Sequence, residues 1–161
     1  MFGLFKKKKV TYEMKAVVDG AVVPMTEATD PVFSSCALGN GVVIRPTSDV
    51  IVAPADGTVT VTMDGSNHAI GLELTGGLEV LIHIGVDTVN LNGEGFKALA
   101  KTGDTVKAGD ELIRFEREAL EAKGYCMEVM QIVMEGEHSG DVQYTTGVTA
   151  KAGETIVGIW Q

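Results

Sequence analysis

HAIGLELTGGLEVLIHIG, residues 68–85, predicts a β-hairpin. Two runs of alternating apolar residues flank a Thr-Gly-Gly-Leu turn, the pattern of two strands joined by a short loop. With a loop of two or four residues, His68 lies opposite Gly85 and His83 lies opposite Ile70. Both histidines then project from one face, with their Cβ atoms roughly 7–8 Å apart. A three-residue loop instead shifts the register by one residue and places the histidines on opposite faces.

The neighbours of the two histidines predict a partly dry surface. In the first of these registers, Ile70 and Leu81 flank the rings and Gly85 leaves room beside His68. Ser66 lies two residues before His68, where its hydroxyl can accept a ring N–H and fix the tautomer. The other face of the second strand is apolar and is expected to enter the core; it consists of Val80, Ile82 and Ile84.

A histidine pair on one face has several interpretations. Each ring can be a structural residue whose nitrogens are satisfied inside the fold. As zinc ligands the rings need a third group, and Asp87 is the nearest candidate. General acid–base hydrolysis needs a nucleophile or a metal, and the sequence offers neither. Covalent phosphorylation needs a neutral imidazole with a held tautomer and a nearby donor. A pair supplies these, because repulsion between two imidazolium rings keeps one ring neutral.

Outside the hairpin, short β-branched runs alternate with glycine, proline and Asp-Gly turns every 8–12 residues or so. Such spacing predicts an all-β fold, an antiparallel sandwich or barrel. Helical signals are few: residues 94–101 and 117–123 each predict a short helix, the second stopped by Gly124. The predicted strands are residues 16–18, 41–44, 50–53, 58–63, 70–74, 79–84, 111–115, 129–134 and 155–159.

A weak internal repeat relates two turns of the chain. Residues 105–113 read TVKAGDELI and residues 149–157 read TAKAGETIV, so an Ala-Gly-acid turn leads into a strand in both. Two interpretations stay open at this point. Either two similar turns arose independently, or the sandwich is internally pseudo-symmetric.

The composition predicts one domain. The chain has 161 residues, 45% of them hydrophobic, and a net charge of −9. This acidic balance disfavours nucleic-acid binding and suits a basic partner protein. No apolar run approaches the roughly 18–20 residues of a membrane span. The two cysteines form no C-x-x-C pair and the start lacks the order of a secretory signal, so a cytoplasmic location with reduced thiols is expected.

The first residues, MFGLFKKKKV, predict a flexible basic tail at 1–10 before a single domain at 11–161. One interpretation is a disordered tail that aids solubility. The other is a weak membrane contact by residues 1–9, in which Phe2, Leu4 and Phe5 enter the bilayer beside anionic headgroups bound by the four lysines.

The motifs around the histidines carry a family resemblance. GLEVLIHIGVDTVNLNGEGF at 77–96 and SNHAIGL at 66–72 resemble the two histidine segments of the glucose-type IIA component of the bacterial phosphoenolpyruvate-dependent sugar phosphotransferase system. The resemblance extends over residues 16–160, and the H-x-G-x-D-T-V and G-E-G-F elements are its specific parts. Further matches are DPVFSS at 30–35, the Gly-Asn-Gly turn at 39–41, VIVAPADGTV at 50–59 and VKAGDEL at 106–112.

The resemblance implies a fold and a role for each site residue. The implied fold is an antiparallel β-sandwich of the barrel-sandwich type with a few short helices. The phosphoryl group would ride on Nε2 of His83, His68 would donate a hydrogen bond to it, and Ser66 would orient the His68 ring. The carbonyl of Gly85 would fix the tautomer of His83, and Asp87 would lie at the rim of the site.

Partners follow from the same resemblance. The donor would be the histidine-containing phosphocarrier protein, and the acceptor would be a cysteine of the IIB domain of a sugar transporter. No cofactor and no required metal are expected, and any zinc held by His68 and His83 would be incidental. The residues expected to contact partners are Asn40, Val42, Ile70 and Leu81.

Two other functions remain open, and three segments depart from the family pattern. A zinc peptidase of the lysostaphin type uses an H-x-H pair, whereas residues 83–85 read His-Ile-Gly. A non-catalytic regulatory module would bind transporters or kinases through the same face.

Asn40 replaces the usual aspartate of the G-D-G turn, residues 57–68 are one residue longer than usual, and residues 126–133 lack the usual Thr-Pro.

Overall fold

A computed structural model describes residues 9–161, and their regular structure is mostly antiparallel β-sheet. Two α-helices lie within this range, α1 (Pro31–Ser34) and α2 (Arg117–Ala122), with 3₁₀ turns at Met25–Glu27, Thr88–Leu91 and Ser139–Asp141. The strands are β1 (Tyr12–Lys15), β2 (Gly20–Pro24), β3 (Asn40–Pro46), β4 (Val50–Val52), β5 (Gly57–Thr62), β6 (Ala69–Leu74), β7 (Glu79–Ile84), β8 (Phe96–Ala98), β9 (Thr105–Val106), β10 (Glu111–Phe115), β11 (Val129–Val133), β12 (Gln143–Tyr144), β13 (Val148–Ala150) and β14 (Ile156–Trp160).

The strands form one large sheet and two small ones. The large sheet has the order β13-β2-β3-β11-β7-β6-β5-β9, and the small sheets have the orders β1-β14-β12 and β4-β10-β8. Neighbouring strands in these sheets pair antiparallel. The predicted all-β sandwich with a few short helices is therefore confirmed.

The middle of the large sheet is covered on both faces. In β3, Val42 and Ile44 enter the main core, whereas Val43 enters a smaller cluster on the opposite face. This smaller cluster is closed by α1, through Phe33, and by the preceding 3₁₀ turn, through Met25. Burial on both faces explains why residues 42–44 of β3 read as a continuous apolar run rather than as an alternating one.

Residues 16–18 were predicted as a strand, and this was wrong. They are fully buried, but they form a bend between β1 and β2. Their backbone bonds to several separate segments: Ala16 N–H donates to Thr155, and the carbonyl of Val17 accepts from Val52. A buried bend that bonds to several segments is as apolar as a β-strand, so the local hydrophobic pattern does not distinguish a bend from a strand.

Residues 94–101 were predicted as a helix, and this was also wrong. Gly95 has a φ of +84°, and residues 96–98 form β8, which pairs with β10. Phe96 faces Phe115 across that pair, with ring centroids 6.4 Å apart. Pairing with a distant strand overrides two turns of helical periodicity. The predicted helix at 117–123 is present as α2, which ends one residue earlier.

The internal repeat has a structural counterpart. Each repeated turn joins an edge strand of the large sheet, β9 or β13, to the middle strand of a small sheet, β10 or β14. The carboxylate of Asp56 accepts the N–H of Ala108 at 2.9 Å, and that of Asp19 accepts the N–H of Ala152 at 2.7 Å. The same hydrogen bond at equivalent positions favours the pseudo-symmetric interpretation.

The basic tail falls almost wholly outside the described range. Residues 1–8, and with them the predicted membrane contact, lie outside the described residues. Within residues 9–161, no helix has the length and apolarity needed to cross a membrane.

Candidate functional site

The β6–β7 hairpin has a three-residue loop. Leu74 N–H donates to the carbonyl of Leu78, and the register places Ala69 opposite His83 and Ile70 opposite Ile82. The pairing expected from a loop of two or four residues is therefore wrong by one position. Ile70 points into the main core with Ile82, away from the face that carries His83.

The two histidine rings nevertheless meet. Their centroids are 4.9 Å apart and their planes lie at 80°. His68 precedes the first residue of β6, and Asn67 before it has a left-handed φ of +53°. Side chains alternate strictly between the two faces only inside a regular strand. The strand register therefore determines the face to which His83 points, but not the direction of His68, which lies before the strand. The same-face pair is formed, but by the end of the strand rather than by the predicted register.

Hydrogen bonding sets the tautomer of His83. Its Nδ1 lies 2.9 Å from the carbonyl oxygen of Gly85. A carbonyl only accepts, so Nδ1 carries the proton and Nε2 of the neutral ring holds a free lone pair. Burial, followed by the nearby His68, lowers the pKa of His83 to about 4. The Gly85 carbonyl and the more distant carboxylates of Asp30 and Asp87 act in the raising direction.

Gly85 is held by a backbone arrangement that a side chain would disrupt. Its φ is +76°, and an added Cβ would lie 2.5 Å from Cγ2 of Thr88. Its N–H donates to the carbonyl of Glu128 at 2.8 Å, while its own carbonyl faces His83. The buried Thr88 hydroxyl closes the same turn by donating to the carbonyl of Ile84. The tautomer-setting carbonyl is thus fixed from both sides.

His68 is less exposed to solvent than His83 and is held by Ser66. It is 7% exposed, and burial lowers its pKa below 6.5. Nδ1 lies 2.8 Å from Oγ of Ser66, a hydroxyl that can donate or accept there. Because Nδ1 is engaged, Nε2 is the free nitrogen of this ring. The stretch before His68 contains a β-bulge between Val59 and Val61, yet the contact with Ser66 is made.

Phe33 is a site residue that the sequence analysis did not single out. Its ring centroid lies 4.8 Å from that of His83, with the planes tilted by 53°. It sits on α1, where Asp30 caps the helix by accepting the N–H of Val32 at 2.9 Å and Pro31 occupies the first turn. The Asp-Pro pair is a helix-start signal, but nothing in the sequence places this helix over residue 83.

Comparison with known proteins assigns the family. The model of the phosphoenolpyruvate-dependent sugar phosphotransferase system EIIA 1 family matches residues 12–139. The chain belongs to this EIIA family.

Individual EIIA relatives match over most of the chain. It is 39% identical over 157 residues to the PTS system glucose-specific EIIA component of Bacillus anthracis, covering 98% of this chain and 94% of that protein. It is also 39% identical over 145 residues to the PTS system glucose-specific EIIBCA component of Corynebacterium glutamicum, where the match covers 90% of this chain but 21% of the longer protein. The solved structure of glucose permease IIA from Mycoplasma capricolum superposes with a TM-score of 0.82 at 27% identity, covering 99% of this chain and 100% of that one.

In this EIIA chain, the residues expected to contact partners differ in exposure. Asn40 is exposed, and Leu81 is half-buried against the smaller cluster beside His83. Val42 and Ile70 are 0% and 1% exposed and belong to the main core, so neither offers a side chain to a partner. The inclusion of Ile70 followed from the one-residue error in register.

The remaining candidates lie around or away from the pair. Asp87 is exposed, has a left-handed φ of +58° and precedes the 3₁₀ turn that follows β7. His138 is half-exposed in a loop, 3.5 Å from Asp141 and beside Gly77, at the opposite end of the hairpin from His83. Among residues 9–161, no three histidine, cysteine or acidic side chains cluster closely enough to hold a metal ion.

Proposed function

We propose that this EIIA chain is a phosphocarrier that accepts a phosphoryl group on Nε2 of His83. The donor is the histidine-containing phosphocarrier protein, and the acceptor is a cysteine of a IIB domain engaged in sugar uptake. The observation that carries the proposal is the contact between Nδ1 of His83 and the Gly85 carbonyl. Because Nε2 carries no proton, it can act as a nucleophile directly, and no base is needed to deprotonate it.

Loading is a displacement at phosphorus. The Nε2 lone pair of His83 forms a bond to phosphorus, and the bond between phosphorus and the donor imidazole breaks, returning its electron pair to the donor ring. The proton on Nδ1 stays hydrogen-bonded to Gly85 throughout. The pKa of about 4 keeps the ring neutral and nucleophilic at physiological pH.

His68 stabilises the phosphoryl group during transfer. Its ring lies 4.9 Å from that of His83, with Nε2 free. A neutral His68 donates from Nε2 when the single hydroxyl proton of Ser66 goes to Nδ1, 2.8 Å away, rather than to the Met63 carbonyl at 3.4 Å. Charge spreads over the equatorial phosphoryl oxygens in the transition state, so a donor fixed beside them lowers the barrier.

Docking uses the apolar surface around the two rings. Phe33 and Leu81 border the site, and Val32 beside Phe33 is 53% exposed. Asp87 and Asn40 lie outside them as exposed polar groups. We assign the phosphocarrier role to a single domain at residues 11–161, place it in the cytoplasm, and leave the sugar unspecified.

Phosphopeptide mapping tests the assignment. The chain is phosphorylated with the purified phosphocarrier protein, digested under conditions that preserve acid-labile phosphate, and sequenced by mass spectrometry. We expect label on His83 and none on His68 or His138. Label on either of the other histidines in the wild-type chain, or no transfer at all, would contradict the proposal.

A further inference from the structure

The buried carboxylate of Glu128 joins the two segments that hold His83. Glu128 is 8% exposed and lies one residue before β11. Its Oε1 accepts the backbone N–H of Thr29 at 2.9 Å, and its Oε2 lies 3.5 Å from Nε of Arg45. Its backbone carbonyl accepts the N–H of Gly85 at 2.8 Å. One residue therefore contacts both sides of the site without touching either histidine.

Both connections lead to the His83 ring. Thr29 directly precedes Asp30, the cap of α1, and α1 holds Phe33 against that ring. Gly85 supplies the carbonyl that receives the ring N–H of His83. The side chain of Glu128 thus fixes the start of α1 relative to Gly85, whose carbonyl fixes the tautomer of His83.

Stability alone does not account for this carboxylate. Burying a charge is costly, and the gain from a buried ion pair seldom exceeds that cost. The partner Arg45 is 54% exposed, so water screens its attraction to Glu128. What the carboxylate adds is a fixed distance between two loops that are about a hundred residues apart in sequence.

We propose that Glu128 is a positioning residue for phosphoryl transfer at His83, acting through its hydrogen bond to Thr29 and hence through α1 and Phe33. It lies in the segment, residues 126–133, where the chain departs from the Thr-Pro of the family pattern. The inference rests on the proposed function, since the reaction it assists is the loading of His83.

The experiment compares three variants in phosphoryl transfer from the phosphocarrier protein. Glu128→Ala removes the acceptor, whereas Glu128→Gln keeps an amide oxygen at the same reach but removes the charge. Gln131→Ala is the matched control, because Gln131 is fully buried on β11 and bonds to the Lys15 carbonyl and the Val17 N–H on the opposite side of the sheet. We expect Glu128→Ala to lower kcat by about 10- to 100-fold, the scale of a reacting group displaced by about an ångström. The KM for the donor should change less than kcat, Glu128→Gln should retain most of the rate, and Gln131→Ala should transfer at the wild-type rate.

Amide hydrogen exchange adds a readout that requires no variant. Thr29 is exposed, yet its N–H is predicted to be protected in the wild-type chain because Glu128 holds it. The proposal is overturned by an unprotected Thr29 amide, by wild-type kinetics in Glu128→Ala, or by equal losses in Glu128→Ala and Gln131→Ala. It is also overturned if Glu128→Gln lowers kcat as much as Glu128→Ala does, because the charge rather than the hydrogen bond would then be responsible. If the wild-type chain accepts no phosphate, the proposed function fails. Protection of the Thr29 amide then still tests the hydrogen bond between Thr29 and Glu128.

Discussion

His83 and His68 are chemically identical side chains that the fold places in different hydrogen-bond environments. The Nδ1–H group of His83 donates a hydrogen bond to a carbonyl, which can only accept, so the tautomer of His83 is fixed. His68 meets a hydroxyl, which can donate or accept, so its free nitrogen can be made a donor. On the proposed function, these environments make one imidazole the nucleophile and the neighbouring one the hydrogen-bond donor.

Replacing the two histidines should separate these roles. His83→Gln is expected to accept no phosphate, because the nucleophile is gone. His68→Gln is expected to load His83 but to unload it to IIB about 10²–10³-fold more slowly, the usual effect of removing one transition-state donor. We expect loading to survive on the hypothesis that groups of the phosphocarrier protein supply a donor in that step. Quench assays that measure loading and unloading separately decide: unloading at the wild-type rate would make His68 a structural neighbour only.

The depressed pKa of His83 has a consequence for stability. Its pKa is about 4 in the folded chain and 6.5 in the unfolded chain, so the unfolded state binds more protons between these values. The contribution of neutral His83 is therefore complete above pH 6.5 and is lost as the pH falls towards 4. Urea unfolding of the wild type and of His83→Gln at a series of pH values tests this. The free energy of unfolding of the wild type should fall relative to the variant as the pH is lowered, and a constant difference would contradict the assigned pKa.

At the scale of elements, the loop of the β6–β7 hairpin is fixed by strands from outside the hairpin. The carbonyl of Gly76 accepts the indole N–H of Trp160 at 3.0 Å, and Trp160 stacks on Tyr12 with centroids 5.7 Å apart. This contact with β1 and β14 supports the three-residue loop. The loop in turn sets the register that brings His83 opposite Ala69.

Two glycines with similar backbone conformations test that packing. Gly76 has a φ of +101° and Gly103 has a φ of +95°, but an added Cβ meets the Tyr12 ring at 2.6 Å only in the first case. Gly103→Ala should cost about 1–2 kcal/mol of unfolding free energy from backbone strain. Gly76→Ala should cost about 2–5 kcal/mol, because overpacking is added to the same strain. Urea unfolding measures both; equal losses would show that the Tyr12 contact does not constrain the loop.

At the scale of the whole molecule, charge and symmetry shape what the site can bind. The net charge is −9, and the site is bordered by Asp30 and Asp87, whose fields reach His83. Because like charges repel, such a surface favours a partner whose docking face is basic. The pseudo-symmetric turns at residues 105–113 and 149–157 bond to Asp56 and Asp19 and do not include the residues that contact His83.

Salt should therefore weaken loading by reducing the rate of encounter. Raising the ionic strength from about 0.1 M to about 1 M shortens the screening length from about 10 Å to about 3 Å. We expect kcat/KM for loading from the phosphocarrier protein to fall several-fold while kcat changes little. Steady-state loading at a series of NaCl concentrations checks this, and a kcat/KM that is independent of salt would mean that apolar contacts alone guide docking.

The sequence by itself determined the features that depend on residues close together in the chain. The all-β class followed from the spacing of short apolar runs. Ser66 beside His68 and Gly85 beside His83 are contacts between residues two positions apart, so local spacing alone was enough to predict both contacts. The direction of the Ser66 bond was not predicted, because the expected arrangement has Ser66 accepting a ring N–H and the proposed function has it donating. The family motif lies in the same short segments, which is why the family was predictable.

Only the tertiary structure decided which distant segments meet there. A loop one residue longer or shorter costs little locally, but it turns every side chain of a strand to the other face. In the folded chain the three-residue loop is held by Trp160 and Tyr12, which come from the two ends of the described chain. The resulting register removed Ile70 from the contact surface and buried it in the core. Phe33 reaches His83 across fifty positions, and Glu128 reaches Thr29 across ninety-nine. Neither contact leaves a trace in local spacing, because it is the pairing and packing of distant strands that bring these segments together.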